Sequence, residues 1–95
     1  MNVPDFVAEV SWDQAKGLFV MTLSLARKYE VRISVRGNLE PRNPKLVSRR
    51  SLPEGISLIQ LLFTPNLDES YTLRIVDSST DEQYFIQSIT VPPFR

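Results

Sequence analysis

Ninety-five residues without one histidine or cysteine exclude most catalytic designs, because the commonest general base, the usual zinc ligand and the thiol nucleophile are all missing. Apolar residues make up 42% and charged residues 23%, an ordinary globular balance that excludes disorder, and the formal net charge is zero. The length suits one domain, residues 1–95, and no stretch is apolar over the length needed to cross a bilayer.

Phe6, Ala8, Val10 and Trp12 alternate with Val7, Glu9 and Ser11, a period of two that predicts a strand. Asp13-Gln14-Ala15-Lys16-Gly17 supplies a turn, with Gly17 suited to positive φ at its end. Phe19, Met21, Leu23 and Leu25 then alternate with Leu18, Val20, Thr22 and Ser24. A helix near residues 12–28 competes: Ser11 and Gln14 have capping-box spacing, and Leu18, Thr22, Leu25 and Tyr29 share one helical face. Gly17 in its first turns and the β-branched Val20 and Thr22 oppose it. Tyr29, Val31, Ile33 and Val35 resume the alternation, which stops at Gly37-Asn38.

From Leu39 to Pro53 the chain is polar, basic and punctuated by Pro41, Pro44 and Pro53. Within it Lys45-Leu46-Val47-Ser48 predicts a short strand, and the flanking prolines make it an edge. Ile56 to Phe63 is an apolar run broken by Ser57 and Gln60, whose buried face alternation does not assign. Tyr71, Leu73 and Ile75 alternate with Thr72, Arg74 and Val76. Asp77 to Glu82 is a polar turn, Phe85, Ile89 and Val91 mark a returning strand, and Pro92-Pro93 closes it. The predicted fold is all-β, a small antiparallel β-sandwich of six or seven strands, with α+β as the alternative if the helix forms.

Phe63-Thr64-Pro65, Tyr71-Thr72-Leu73-Arg74-Ile75 and Ile89-Thr90-Val91-Pro92-Pro93 resemble the C-terminal half of an immunoglobulin-like or fibronectin type III sandwich, over residues 52–93. In those families a Leu-x-Pro turn precedes a strand opening with tyrosine, the tyrosine-corner arrangement. Here Phe63 replaces the leucine, and Pro65 and Tyr71 stand further apart than in the family pattern. Ser11-Trp12-Asp13-Gln14 is similar to the opening of a CS domain. Under the helical reading, Gly17-Leu18-Phe19 and Ser57-Leu58-Ile59 are similar to landmarks of the phosphocarrier HPr, with Phe19 where the phosphorylated histidine would be.

Charge is segregated along the chain. Arg27, Lys28, Arg32, Arg36, Arg42, Lys45, Arg49 and Arg50 face only Glu30 and Glu40, whereas from Ser51 onward acids outnumber Arg74 and Arg95. A basic surface around Arg42, Lys45, Arg49 and Arg50 is therefore expected to meet an acidic patch on a neighbour or a second copy. Asp68, Glu69, Asp81 and Glu82 would supply that patch if the hairpin ends cluster. Lys45-Leu46-Val47 is the expected edge for strand addition, and Phe94, beyond the double proline, an exposed partner anchor.

Asp77-x-Ser79-x-Asp81 has the opening rhythm of a calcium loop, but Glu82 and Ser88 stand where that loop needs glycine and glutamate. A solvated turn is the expectation, and neither metal nor cofactor is expected. The expected function is non-enzymatic: a protein-interaction or structural module, an accessory or decoration subunit of a larger assembly such as a virion or multiprotein complex. No small-molecule substrate is evident. Nucleic-acid binding by residues 27–50, with Tyr29 as a stacking platform, is one alternative. A carbohydrate or small-ligand platform built from Trp12, Tyr29, Tyr71, Tyr84 and Phe85 is another, although most of these fall on the inward alternation. The opening residues lack a signal-peptide pattern and no disulfide is available, which favours the cytoplasm or an assembled particle.

Overall fold

The computed structural model describes residues 4–66 and 68–91. Among them the chain forms seven strands: β1 (Phe6–Asp13), β2 (Leu18–Leu25), β3 (Tyr29–Gly37), β4 (Leu46–Leu52), β5 (Gly55–Leu61), β6 (Ser70–Asp77) and β7 (Gln83–Thr90). They pair antiparallel in two sheets, β1-β2-β5 and β4-β3-β6-β7, packed over one core. The fold is the small all-β sandwich that the alternation predicts.

The α+β alternative is overturned. Trp12 and Asp13 end β1, and pairing of Asp13 with Leu18 and Trp12 with Phe19 closes a hairpin where the helix would have begun. Gly17 has φ 68°, its N–H reaches the Asp13 carbonyl at 2.8 Å, and Asp13 Oδ1 accepts from the Lys16 N–H at 3.1 Å. A helix burying Leu18, Thr22, Leu25 and Tyr29 would have left Phe19 and Leu23 on other faces. The strand buries Phe19, Met21, Leu23 and Leu25 together on one side.

The central strands carry the core. Phe19, Met21 and Leu23 of β2, Val31, Ile33 and Val35 of β3, and Tyr71, Leu73 and Ile75 of β6 are all inaccessible to solvent. Aromatic rings pin the two layers at either end. Phe19 lies against Trp12, Phe63 and Tyr71, while Phe6 packs against Tyr29 and Tyr84. Pairing with β2 also settles the face of β5: Ile59 opposite Met21 and Leu61 opposite Phe19 turn inward, so Ile56 and Leu58 turn out.

Candidate interaction edges

Among the described residues one ion pair joins the basic segment to the acidic half of the chain, and two more lie within the basic segment itself. The turn after β6 brings Asp81 to Arg32 of β3, with Oδ1 and Nη2 2.8 Å apart. Lys45 pairs with Glu40 at 3.6 Å, and Lys28 with Glu30 at 3.4 Å. The expected acidic patch does not assemble. Asp68 and Glu69 precede β6 while Asp81 and Glu82 follow it, so a strand length of roughly 25 Å separates the two pairs. Glu69 is withdrawn altogether, with 1% of its surface exposed. Its Oε2 accepts from the Leu39 N–H at 3.2 Å and its Oε1 from Asn66 Nδ2 at 3.2 Å. The Tyr71 hydroxyl, more than these two bonds, holds this carboxyl below its usual range, against the opposing effect of burial.

The basic residues separate into two places. Arg42 is exposed in the β3–β4 loop, and Lys45 is half-buried where its N–H reaches the Val35 carbonyl at 2.8 Å. Arg49 and Arg50 are neighbours on β4, both exposed, and among the described residues neither makes an ion pair. Arg49 stands opposite Arg32, on the outer face. Arg50 stands opposite Val31, at a position facing the other sheet, and its Nε reaches Ser48 Oγ at 3.2 Å. Together they line an open depression of about 300 Å³ with Glu30, Ser51 and Ser78. There the Glu30 carboxylate is held by Ser51 Oγ at 2.8 Å and by Lys28. Phe94 lies outside the described residues.

The aromatic residues serve packing. Tyr29 and Tyr71 are buried, Arg27 covers the Tyr29 ring at 3.8 Å from its centroid, and Trp12 donates to Gln14 Oε1 at 2.8 Å. Buried or covered in this way, Tyr29 and Tyr71 offer no free face on which a base or sugar can stack, while Trp12, Tyr84 and Phe85 are half-buried against the core. The Asp77 segment is a turn. Oδ1 accepts from the Thr80 and Ser79 N–H groups at 2.9 and 2.8 Å, and Oδ2 from the Tyr84 hydroxyl at 2.9 Å. These bonds, the Thr80 one foremost, hold the Asp77 carboxyl at about 2. Both oxygens are thereby occupied and Asp81 is turned to Arg32, leaving no set of acids among the described residues placed to hold a metal.

Sequence reasoning overlooked the surface that departs furthest from an ordinary one. Among the described residues strand β5 is an edge, paired only with β2, and Gly55-Ile56-Ser57-Leu58-Ile59-Gln60-Leu61 contains no charge. On its outer side Ile56 is 82% and Leu58 65% exposed, and Leu62 just beyond is 73% exposed. Exposed edges are usually guarded by charge, proline or bulges. Edge β4 has such guards, with Arg50 at an inward-facing position and Pro44 and Pro53 at its ends, which argues against strand addition at Lys45-Leu46-Val47. Edges β1 and β7 pack against each other and close the opposite side. Lack of charge between Gly55 and Phe63 was the available signal, but without a partner strand it could not be told from core. No protein family, curated protein or solved structure matches the chain.

Proposed function

We propose that this domain works by contact, as a non-catalytic protein-interaction module and an accessory subunit of a larger protein assembly such as a virion or other multiprotein complex. The observation that carries this is the unguarded edge β5 with Ile56 and Leu58 turned to solvent. An uncharged edge offers a row of backbone donors and acceptors beside an apolar face, the two ingredients of strand addition. Arg49 and Arg50 on the same open side add charge that orients an incoming partner. The hydrogen bond from the Asn66 N–H to the Tyr71 hydroxyl, 2.6 Å long and five residues back, supports an immunoglobulin-like relationship for the scaffold.

The test uses the chain in its source organism with a photo-crosslinking amino acid in place of Ile56. A product of defined mass, identified by mass spectrometry and abolished by Leu58→Lys, is expected. The same residue placed at Thr72, on the outer face of the other sheet, should give none. Products of equal yield from both positions, or from neither, would overturn the proposal.

A further inference from the structure

The sandwich is one strand short on the side where β5 ends. Strand β4 places Leu46, Ser48 and Arg50 opposite Val35, Ile33 and Val31 in the pairing with β3, so all six positions face the smaller sheet. The three β3 residues are inaccessible to solvent, yet Leu46 and Ser48 are only half-buried and Arg50 is exposed. Because β1 packs against β7 at the far side, the surplus strand of the four-stranded sheet is β4. Among the described residues no strand of the smaller sheet covers its inner face from Leu46 to Arg50, whereas Leu52, beside the turn into β5, is buried. One additional strand beside β5 would lie about 10 Å above β4, the ordinary spacing of packed sheets. It would complete four strands over four.

We infer that this vacant place receives an extended segment of a different protein, alternating apolar and small polar residues and carrying one carboxylate that meets Arg50. This rests on the interaction reading of β5 given above. The backbone of the incoming strand pairs with the free side of β5. Its inward apolar side chains cover Leu46 and Ser48, and its small polar ones lie outward beside Ile56 and Leu58. Arg50 decides the charge, since a guanidinium enclosed between layers requires an acceptor. It also decides against a second copy. Strand β5 has no carboxylate to offer, and two-fold pairing of β5 with itself brings the two Arg50 side chains to the same side of the joint.

The experiment uses two capped nine-residue peptides of alternating threonine and valine, one with aspartate at a central valine position and one with lysine there. Each is titrated into the ¹⁵N-labelled domain, and amide hydrogen exchange is read along β5. The aspartate peptide is expected to slow every second amide of β5 and to bind at least tenfold more tightly than the lysine peptide. Arg50→Glu should reverse the preference while leaving exchange in β2 and β3 unchanged. Equal binding of the two peptides overturns the inference, as does protection of β5 by raising the domain's own concentration without peptide. If neither peptide protects β5 but the Ile56 crosslink forms, the inference alone falls. If both fail, the interaction reading falls with it.

Discussion

The Glu69 carboxylate lies directly against Gly37, so closely that a Cβ on Gly37 would stand 2.5 Å from Oε2, 2.7 Å from Cδ and 3.0 Å from Oε1. Gly37 closes β3 opposite Tyr71, the first buried residue of β6, and the missing side chain is the space the carboxylate occupies. A strand residue and a buried acid from the loop before β6 thus require one another.

Gly37→Ala should therefore destabilise the domain by about 1–3 kcal/mol, the range for overfilling a packed site. The double variant Gly37→Ala/Glu69→Ala should lose less than the sum of the two single variants, because removing the carboxylate empties the space the methyl needs. Urea unfolding of the four proteins measures this. Additive losses would mean that the close approach is relieved by some other movement.

Glu69 also makes stability depend on acid. Its carboxyl is held below the ordinary value of 4.5, by the Tyr71 hydroxyl first and then by Asn66 and the Leu39 N–H. A depressed carboxyl contributes stability that is fully present above the unfolded value and is lost as pH falls through the folded one. Wild-type stability should thus drop below about pH 4.5, and Glu69→Gln should remove this part of the drop. Tyr71→Phe should cost about 1–3 kcal/mol at neutral pH, because the buried Glu69 carboxylate loses its hydroxyl donor and the Asn66 N–H its acceptor, and should move the acid loss to higher pH. Chemical unfolding at a series of pH values from 7 to 3 reads both effects.

Asp77 acts lower on the pH scale. With its folded value at about 2 against an ordinary 3.8, its contribution is present above 3.8 and disappears between there and about 2. Asp77→Asn should lower the melting temperature at neutral pH, and its difference from wild type should vanish toward pH 2. Amide exchange at Ser79 and Thr80 should rise in the variant, since both N–H groups lose a charged acceptor.

Phe19 joins both layers through Trp12, Phe63 and Tyr71 and is inaccessible to solvent. Phe19→Ala should cost about 3–5 kcal/mol, a large part of the total stability of a domain this size. Arg32→Ala, which breaks an ion pair with both partners partly exposed, should cost less than about 1 kcal/mol and show no effect in high salt. Guanidinium unfolding for the first and urea unfolding with and without salt for the second give the contrast.

The sequence by itself determined the strands whose two faces meet different surroundings. Phe19, Met21, Leu23 and Leu25, then Val31, Ile33 and Val35, then Tyr71, Leu73 and Ile75, repeat every second residue because one side meets core and the other water. The Asp13–Gly17 and Asp77–Glu82 turns were legible for a similarly local reason, since their side chains bond their own backbone. Only tertiary structure decided which strands became edges, because a strand's neighbours lie far away in the chain. β5 reads as core in one dimension, yet Ile56 and Leu58 face solvent because among the described residues it pairs with β2 alone. Charge behaved the same way: that Arg32 of the basic segment meets Asp81 of the acidic one appears only once β3 pairs with β6. Electrostatic contact depends on distance in space, and a run of letters carries no such distance.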